Sequence, residues 1–216
     1  MILTVIMTLL LSGIDKILEY YNILGRYYFN HFLINFIIVY YTYNDMLLCY
    51  TDLFNLHKYE LDIMPVELTF SIHFYHILIY HNKFLFDDWL HHIIMIFFCL
   101  PMGIYINNSP LMYHCLFFLS GLPGGINYFL LFLQRNYLIS KKLQKQINYL
   151  LNLCIRNTGC LFSCLFGYLH YINYLQYLND NLYFYFITFV SISNYWNGVY
   201  FMEQVIRNYN LLYPTV

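Results

Sequence analysis

The residues best suited to chemistry stand together at Asp87-Asp88-Trp89-Leu90-His91-His92. On a helix, Asp88 lies one turn from both His91 and His92, and Asp87 one turn from His91. A carboxylate so placed can accept the Nδ1–H of an imidazole, which fixes the tautomer and leaves Nε2 free as a base, nucleophile or ligand. Adjacent histidines diverge by about 100° at 3.6 residues per turn, so one is expected to face a cavity and the other a structural partner. The competing reading is an interfacial helix start. Acids suit the first turn of a helix, and Trp89 suits the headgroup belt.

Other candidates are more scattered. Asp45 lies deep in an apolar run behind Tyr40, Tyr41 and Tyr43, and Arg156 lies in another run with no acid nearby in sequence. A buried arginine needs a partner, and Asp45 is the cross-bundle candidate; alternatively, both side chains snorkel to an interface. His73 and His76 share a helix face at i, i+3 and with Tyr80 could line one cavity, although hydrogen bonds to neighbouring helices are the plainer role. His114 and His170 are isolated, while His31, His57 and His81 read as loop or boundary residues. The six cysteines form no metal-type CxxC pair and read as packing residues, not a disulfide framework; no metal site is expected, because the nine histidines are scattered and do not form ligand boxes.

These residues must be positioned by membrane helices. The chain has 216 residues, 61% hydrophobic and only 10% charged. A soluble surface requires more charge than that, whereas lipid does not. A net charge of −1 gives no basic face for nucleic acid. Crossing the hydrocarbon takes about 20 apolar residues. Six strong stretches meet or approach that: Phe32–Phe54, Pro65–Tyr80, Trp89–Ile106, Leu111–Leu133, Ile147–Leu175 and Leu182–Ile206. The expected fold is therefore all-α, a polytopic transmembrane bundle of six spans. Met1–Leu11 is a weaker candidate for a short first span or interfacial segment. It lacks the basic flank and cleavage site of a signal peptide.

Charge sets the orientation. With the N-terminal flank of Phe32–Phe54 cytoplasmic, Lys16, Arg26, Lys83, Arg135, Lys141, Lys142, Lys145 and Arg207 fall inside, and only Lys58 falls outside. That agrees with the positive-inside rule and makes the C-terminus cytoplasmic. Gly121-Leu122-Pro123-Gly124-Gly125 interrupts the fourth span, and Pro101 with Gly103 interrupts the third, as packing kinks or where backbone faces a watery cavity.

An acid followed by His-His at the start of a span, within a six-span unit, resembles the TLC (TRAM–LAG1–CLN8) domain family. Asp45 after a tyrosine-rich run, Arg156 in the penultimate span and Asn194-Tyr195-Trp196-Asn197 in the last span are similar to that family's patterns. The resemblance covers residues 27–210, between an N-terminal segment 1–26 and a short tail 211–216. It implies a lipid-handling protein of the endoplasmic reticulum, with membrane lipids as partners. In a ceramide-synthase-like acyltransferase, His91 or His92 would carry the acyl transfer with Asp88 as orienter. Acyl-CoA would be co-substrate and no resident cofactor would be needed. The resemblance also marks Asp45, Arg156, Asn194 and Trp196 as binding residues, and His76 joins them from its place with His73 on the second span. Ceramide synthases, however, carry a Thr-containing stretch after His-His and a later acidic motif. Here Ile93-Ile94-Met95 follows, and no acid lies between Asp88 and Asp180. The chain is closer to divergent members tied to lipid composition, transport or sensing. A non-enzymatic cargo or scaffold protein is the alternative. A fatty-acid elongase needs HisxxHisHis, but position 88 is Asp; di-iron enzymes need several histidine boxes that nine scattered histidines do not supply.

Overall fold

A computed structural model describes residues 2–60, 62–106, 109–174 and 181–213. Those residues are helical apart from short connections, with no strand among them. The helices are α1 (Ile2–Tyr20), α2 (Arg26–Thr51), α3 (Met64–Tyr80), α4 (Phe86–Ile94), α5 (Leu100–Ile106), α6 (Ser109–Leu116), α7 (Leu122–Arg135), α8 (Lys141–Leu150), α9 (Asn157–Tyr174) and α10 (Asn181–Leu212). Pairs α4/α5, α6/α7 and α8/α9 each run on as one rod through a π-helical turn, at Met95–Cys99, Phe117–Gly121 and Leu151–Arg156.

Four rods are long and apolar enough to cross a membrane: Arg26–Thr51, Phe86–Tyr105, Pro110–Arg135 and Lys141–Asn173. Their outer faces carry large exposed apolar side chains, among them Phe36, Leu47, Phe97, Phe98, Phe129, Leu161 and Leu165. In water such a surface would drive aggregation, whereas lipid solvates it. The stretches 65–80 and 182–206, expected as further spans, belong to α3 and α10 and fall outside this set of four.

The prolines shift the hydrogen-bond register of their rods. A proline removes the donor that would serve the carbonyl four residues back. The π turn before Pro101 answers this with a five-residue reach, Leu100 N–H bonding Met95 O. Leu122 N–H bonds Phe117 O in the same way before Pro123. The stretch expected as a short first span or interfacial segment belongs to α1, which runs on to Tyr20 with Asp15 buried and partnered within it and falls outside the set of four.

α3 is the central helix: Pro65 through His73, with Tyr75 and His76, are all buried. It packs against α1 and α2, α2 against α6 and α7, and α9 against α10. Hydrogen bonds define two ends of the bundle. At one, Asn136 after α7 accepts from Leu24 N–H (3.3 Å) and donates to Leu24 O (2.9 Å). The same end holds the C-termini of α1, α3 and α7 and the N-termini of α2, α4 and α8, with most of the basic residues: Lys16, Arg26, Lys83, Arg135 and the Lys141–Lys145 segment. The last turn of α10 joins them, Lys142 lying 5.8 Å from the Tyr213 ring and Tyr149 beside Tyr209. At the other end, Asn173 donates to Phe54 O (3.3 Å). There Asp52 accepts from Asn55 Nδ2 (2.6 Å) and Tyr59 OH (2.8 Å), which hold its carboxyl below the usual range.

Ser140 caps α8 by accepting Leu143 N–H at 3.1 Å. Ser140→Ala is expected to destabilise the folded chain by about 1 kcal/mol, read as a small drop in thermal midpoint of the detergent-purified protein.

Candidate functional site

Five imidazoles gather at the basic end. α3 brings His73 and His76, one turn apart on one face; α4 brings His91 and His92; the second turn of α2 brings His31. His73 Nδ1 and His92 Nδ1 lie 2.8 Å apart, so one ring donates its N–H to the lone pair of the other. His73, His76 and His92 are 6%, 2% and 4% exposed. Each offers one ring nitrogen, and these three atoms all lie within 4.8 Å of one another. The His91 ring sits at the rim, exposed, 5.2 Å from His73 and 5.5 Å from His92. The pair thus diverges, His92 inward and His91 outward.

Aromatic rings hold the cluster in place. Phe84 stacks on His92 at 4.7 Å and Tyr27 on His76 at 4.4 Å. Tyr128 of α7 stacks on His31 at 3.9 Å, and His31 leans on His76 at 4.4 Å. His76 Nε2 and His31 Nδ1 are buried without a hydrogen-bond partner among the described residues. Asp88 does a different job from the one its spacing suggested: Oδ2 accepts Leu85 N–H at 2.9 Å and closes the first turn of α4. It remains within electrostatic range of His91 and His92.

Beside this cluster lies a carboxylate that the sequence did not single out. Asp15 of α1, 1% exposed, accepts from Tyr75 OH (2.8 Å) and Tyr80 OH (2.6 Å) through one oxygen. Its other oxygen faces Arg26 Nη1 at 3.7 Å, and Arg26 lies 2.7 Å from Glu19. Tyr80 also meets Tyr27 edge-on at 5.3 Å, so this network and the imidazoles are neighbours.

The remaining sequence candidates lie apart. Arg156 donates to Asn152 Oδ1 at 2.6 Å, lies over Phe201 at 5.4 Å, and reaches the Gly124–Asn35 crossing of α7 and α2. Asp45 is ten residues beyond Asn35, about 15 Å along α2, in the neighbourhood of Cys49 and Tyr113. The structure does not bring Asp45 and Arg156 together. Asn194 is buried, 3.9 Å from Cys160 Sγ. Trp196 is exposed on the outer face of α10, stacked on Tyr200 at 5.4 Å. His114, expected to be isolated, links Ser163 Oγ (2.6 Å) and Tyr50 OH (3.1 Å) at the other end of the bundle. His31, read as a boundary residue, sits within the cluster because α2 begins at Arg26 and carries it into the bundle. Its signal was the i, i+4 pair Tyr27/His31, which a helix starting earlier places on one face.

Fold and site together define an all-helical chain with four helices able to cross a membrane and a buried imidazole cluster at its basic end. Comparison with family models, with curated proteins and with solved structures returned no match.

Proposed function

We propose that the chain is a multi-pass membrane protein of six spans that handles membrane lipids, with the imidazole cluster as its working site and the basic end cytoplasmic. Adding α3 and α10 to the four long rods gives the six. α3, at 17 residues, is about 25 Å long, close to the hydrocarbon thickness for a helix shielded by its neighbours. The concentration of basic residues at one end supports that end, with the last turn of α10, as cytoplasmic. Residence in the endoplasmic reticulum follows from the TLC resemblance.

The observation that carries the reading is the gathering of five imidazoles from three helices at one end of the bundle, three of them buried. Ionisable groups are expensive in lipid and mark function where they cluster. In the acyltransfer form of the reading, an imidazole nitrogen of His91 or His92 takes the proton of a lipid amine or hydroxyl as it attacks the acyl-CoA thioester, and the thiol leaves. The engagement of Asp88 with Leu85 N–H favours a second form, lipid binding without turnover, because an oriented base normally keeps its carboxylate.

Lipid profiles of cells expressing the wild type beside His91→Ala/His92→Ala test the reading. The species shifted by the wild type are expected to return at least tenfold towards background in the double variant. Identical profiles would remove the cluster from lipid handling. Acyl-CoA turnover by the purified protein separates the two forms.

A further inference from the structure

We infer that His73, His76 and His92 form a binding site for one divalent transition-metal ion, with zinc the best match. The inference goes beyond the lipid reading and requires neither a lipid nor an acyl transfer.

Three observations converge on it. Three ring nitrogens from two helices lie within 4.8 Å of one another, all on buried residues. The His73/His76 pair uses the i, i+3 spacing that aims two side chains from one helix face at a common point, and His92 approaches from α4. Secondly, the protein's own hydrogen bonds leave the trio unsatisfied. The single Nδ1–Nδ1 bond serves His73 and His92, while His76 Nε2 is buried with no partner among the described residues. A metal ion supplies what such a nitrogen lacks, an electron-pair acceptor. Thirdly, the rings are held in place, His92 against Phe84 and His76 between Tyr27 and His31.

The donor chemistry selects the metal. Imidazole suits zinc, copper, nickel and iron, and disfavours magnesium and calcium. Three histidines with a fourth position open are the pattern of a zinc that holds water or substrate. Zinc–nitrogen bonds near 2.0–2.1 Å at a tetrahedral angle put the two nitrogens about 3.3 Å apart. The 2.8 Å between His73 and His92 Nδ1 therefore opens by about half an ångström, the proton between the rings moving to Nε2 of its own ring, and the widest spacing of the trio, within 4.8 Å, closes by up to about 1.5 Å. Asp88, within electrostatic range of His92, offsets part of the added charge. The Ser163–His114–Tyr50 chain offers no comparable site, since both ring nitrogens of His114 already have partners.

The test uses the full chain, purified in detergent from cells grown with added zinc. Elemental analysis is expected to find about one zinc per chain in the wild type and in His81→Ala, whose histidine is exposed and bonded to Ile77 O. After chelation, cobalt(II) should bind with the visible spectrum of a tetrahedral nitrogen site, and zinc should raise the thermal midpoint. His76→Gln, which keeps a polar side chain of similar reach, is expected to lose at least tenfold in cobalt affinity and the zinc-induced rise. His73→Gln should behave alike, so the result does not depend on one variant folding. Absence of metal from the wild type with no cobalt spectrum overturns the site. So does equal binding by wild type and His76→Gln. The lipid profile plays no part in this readout, so failure of the lipid reading and failure of the metal site are separately visible.

Discussion

Asp15→Ala is expected to lower the thermal midpoint of the detergent-purified protein by roughly 10 °C. The substitution removes a carboxylate that is 1% exposed and ties three helices together. Tyr75 and Tyr80 of α3 both donate to it, and Arg26 at the start of α2 faces it. Tyr75 is itself fully buried, so its hydroxyl cannot turn to water when the acceptor goes. A buried donor left without a partner costs about 1–3 kcal/mol, and losing the charge opposite Arg26, which is 22% exposed and keeps Glu19 at 2.7 Å, adds less than the roughly 3–5 kcal/mol of a fully buried pair. At about 2–4 °C per kcal/mol for a chain of this size, a loss near 3–4 kcal/mol gives the stated shift. Asp15→Asn retains an acceptor for the tyrosines and gives up only the charge opposite Arg26, so about half the loss is expected. A midpoint within about 2 °C of wild type for Asp15→Ala would show that the network does not hold α1 to α3.

The same residue shows where sequence reading stops. Helices over the long apolar runs are legible because nothing else satisfies a backbone in lipid; Phe86–Tyr105 and Pro110–Arg135 appear as read to within about three residues, whereas Arg26–Thr51 and Lys141–Asn173 begin about six residues before the expected edge. The Asp15 network was not legible, because Tyr75 and Tyr80 lie 60 and 65 residues away and meet it only when α3 packs along α1. The His pair stood out locally, but its neighbours His73 and His76 come from another helix, and His31, behind His76, from a third. Their approach depends on which faces of α2, α3 and α4 turn inward, and α3, buried nearly all round, has no apolar stripe to reveal its face. Pro101 and Pro123 announced interruptions, and π turns stand beside both. The third π turn, Leu151–Arg156, has no proline within it, and no local feature of the sequence marked it.

Gly159→Ala is expected to destabilise the protein by about 1–3 kcal/mol, far more than a methyl group on an open helix face. The cause is the crossing of α9 with the π turn between α6 and α7, where Phe118 lies against Gly159. A Cβ on residue 159 would collide with the ring and with Phe118 Cβ. Phe118 is not free to swing away, because its ring also packs on His114 at 4.8 Å, and His114 is fixed between Ser163 and Tyr50. Relief must therefore come from separating the two helices, which loosens the Ser163–His114 bond as well. Phe118→Ala alone should cost about 3 kcal/mol through the space it leaves. In Gly159→Ala/Phe118→Ala that space receives the new methyl. The double variant should then be no less stable than Phe118→Ala alone, a coupling of about 1–3 kcal/mol between residues in contact. Thermal unfolding of the four proteins in one detergent measures it. Additive losses would mean that the helices do not approach as closely as Gly159 allows, and that the packing of α9 on the α6–α7 rod needs another explanation.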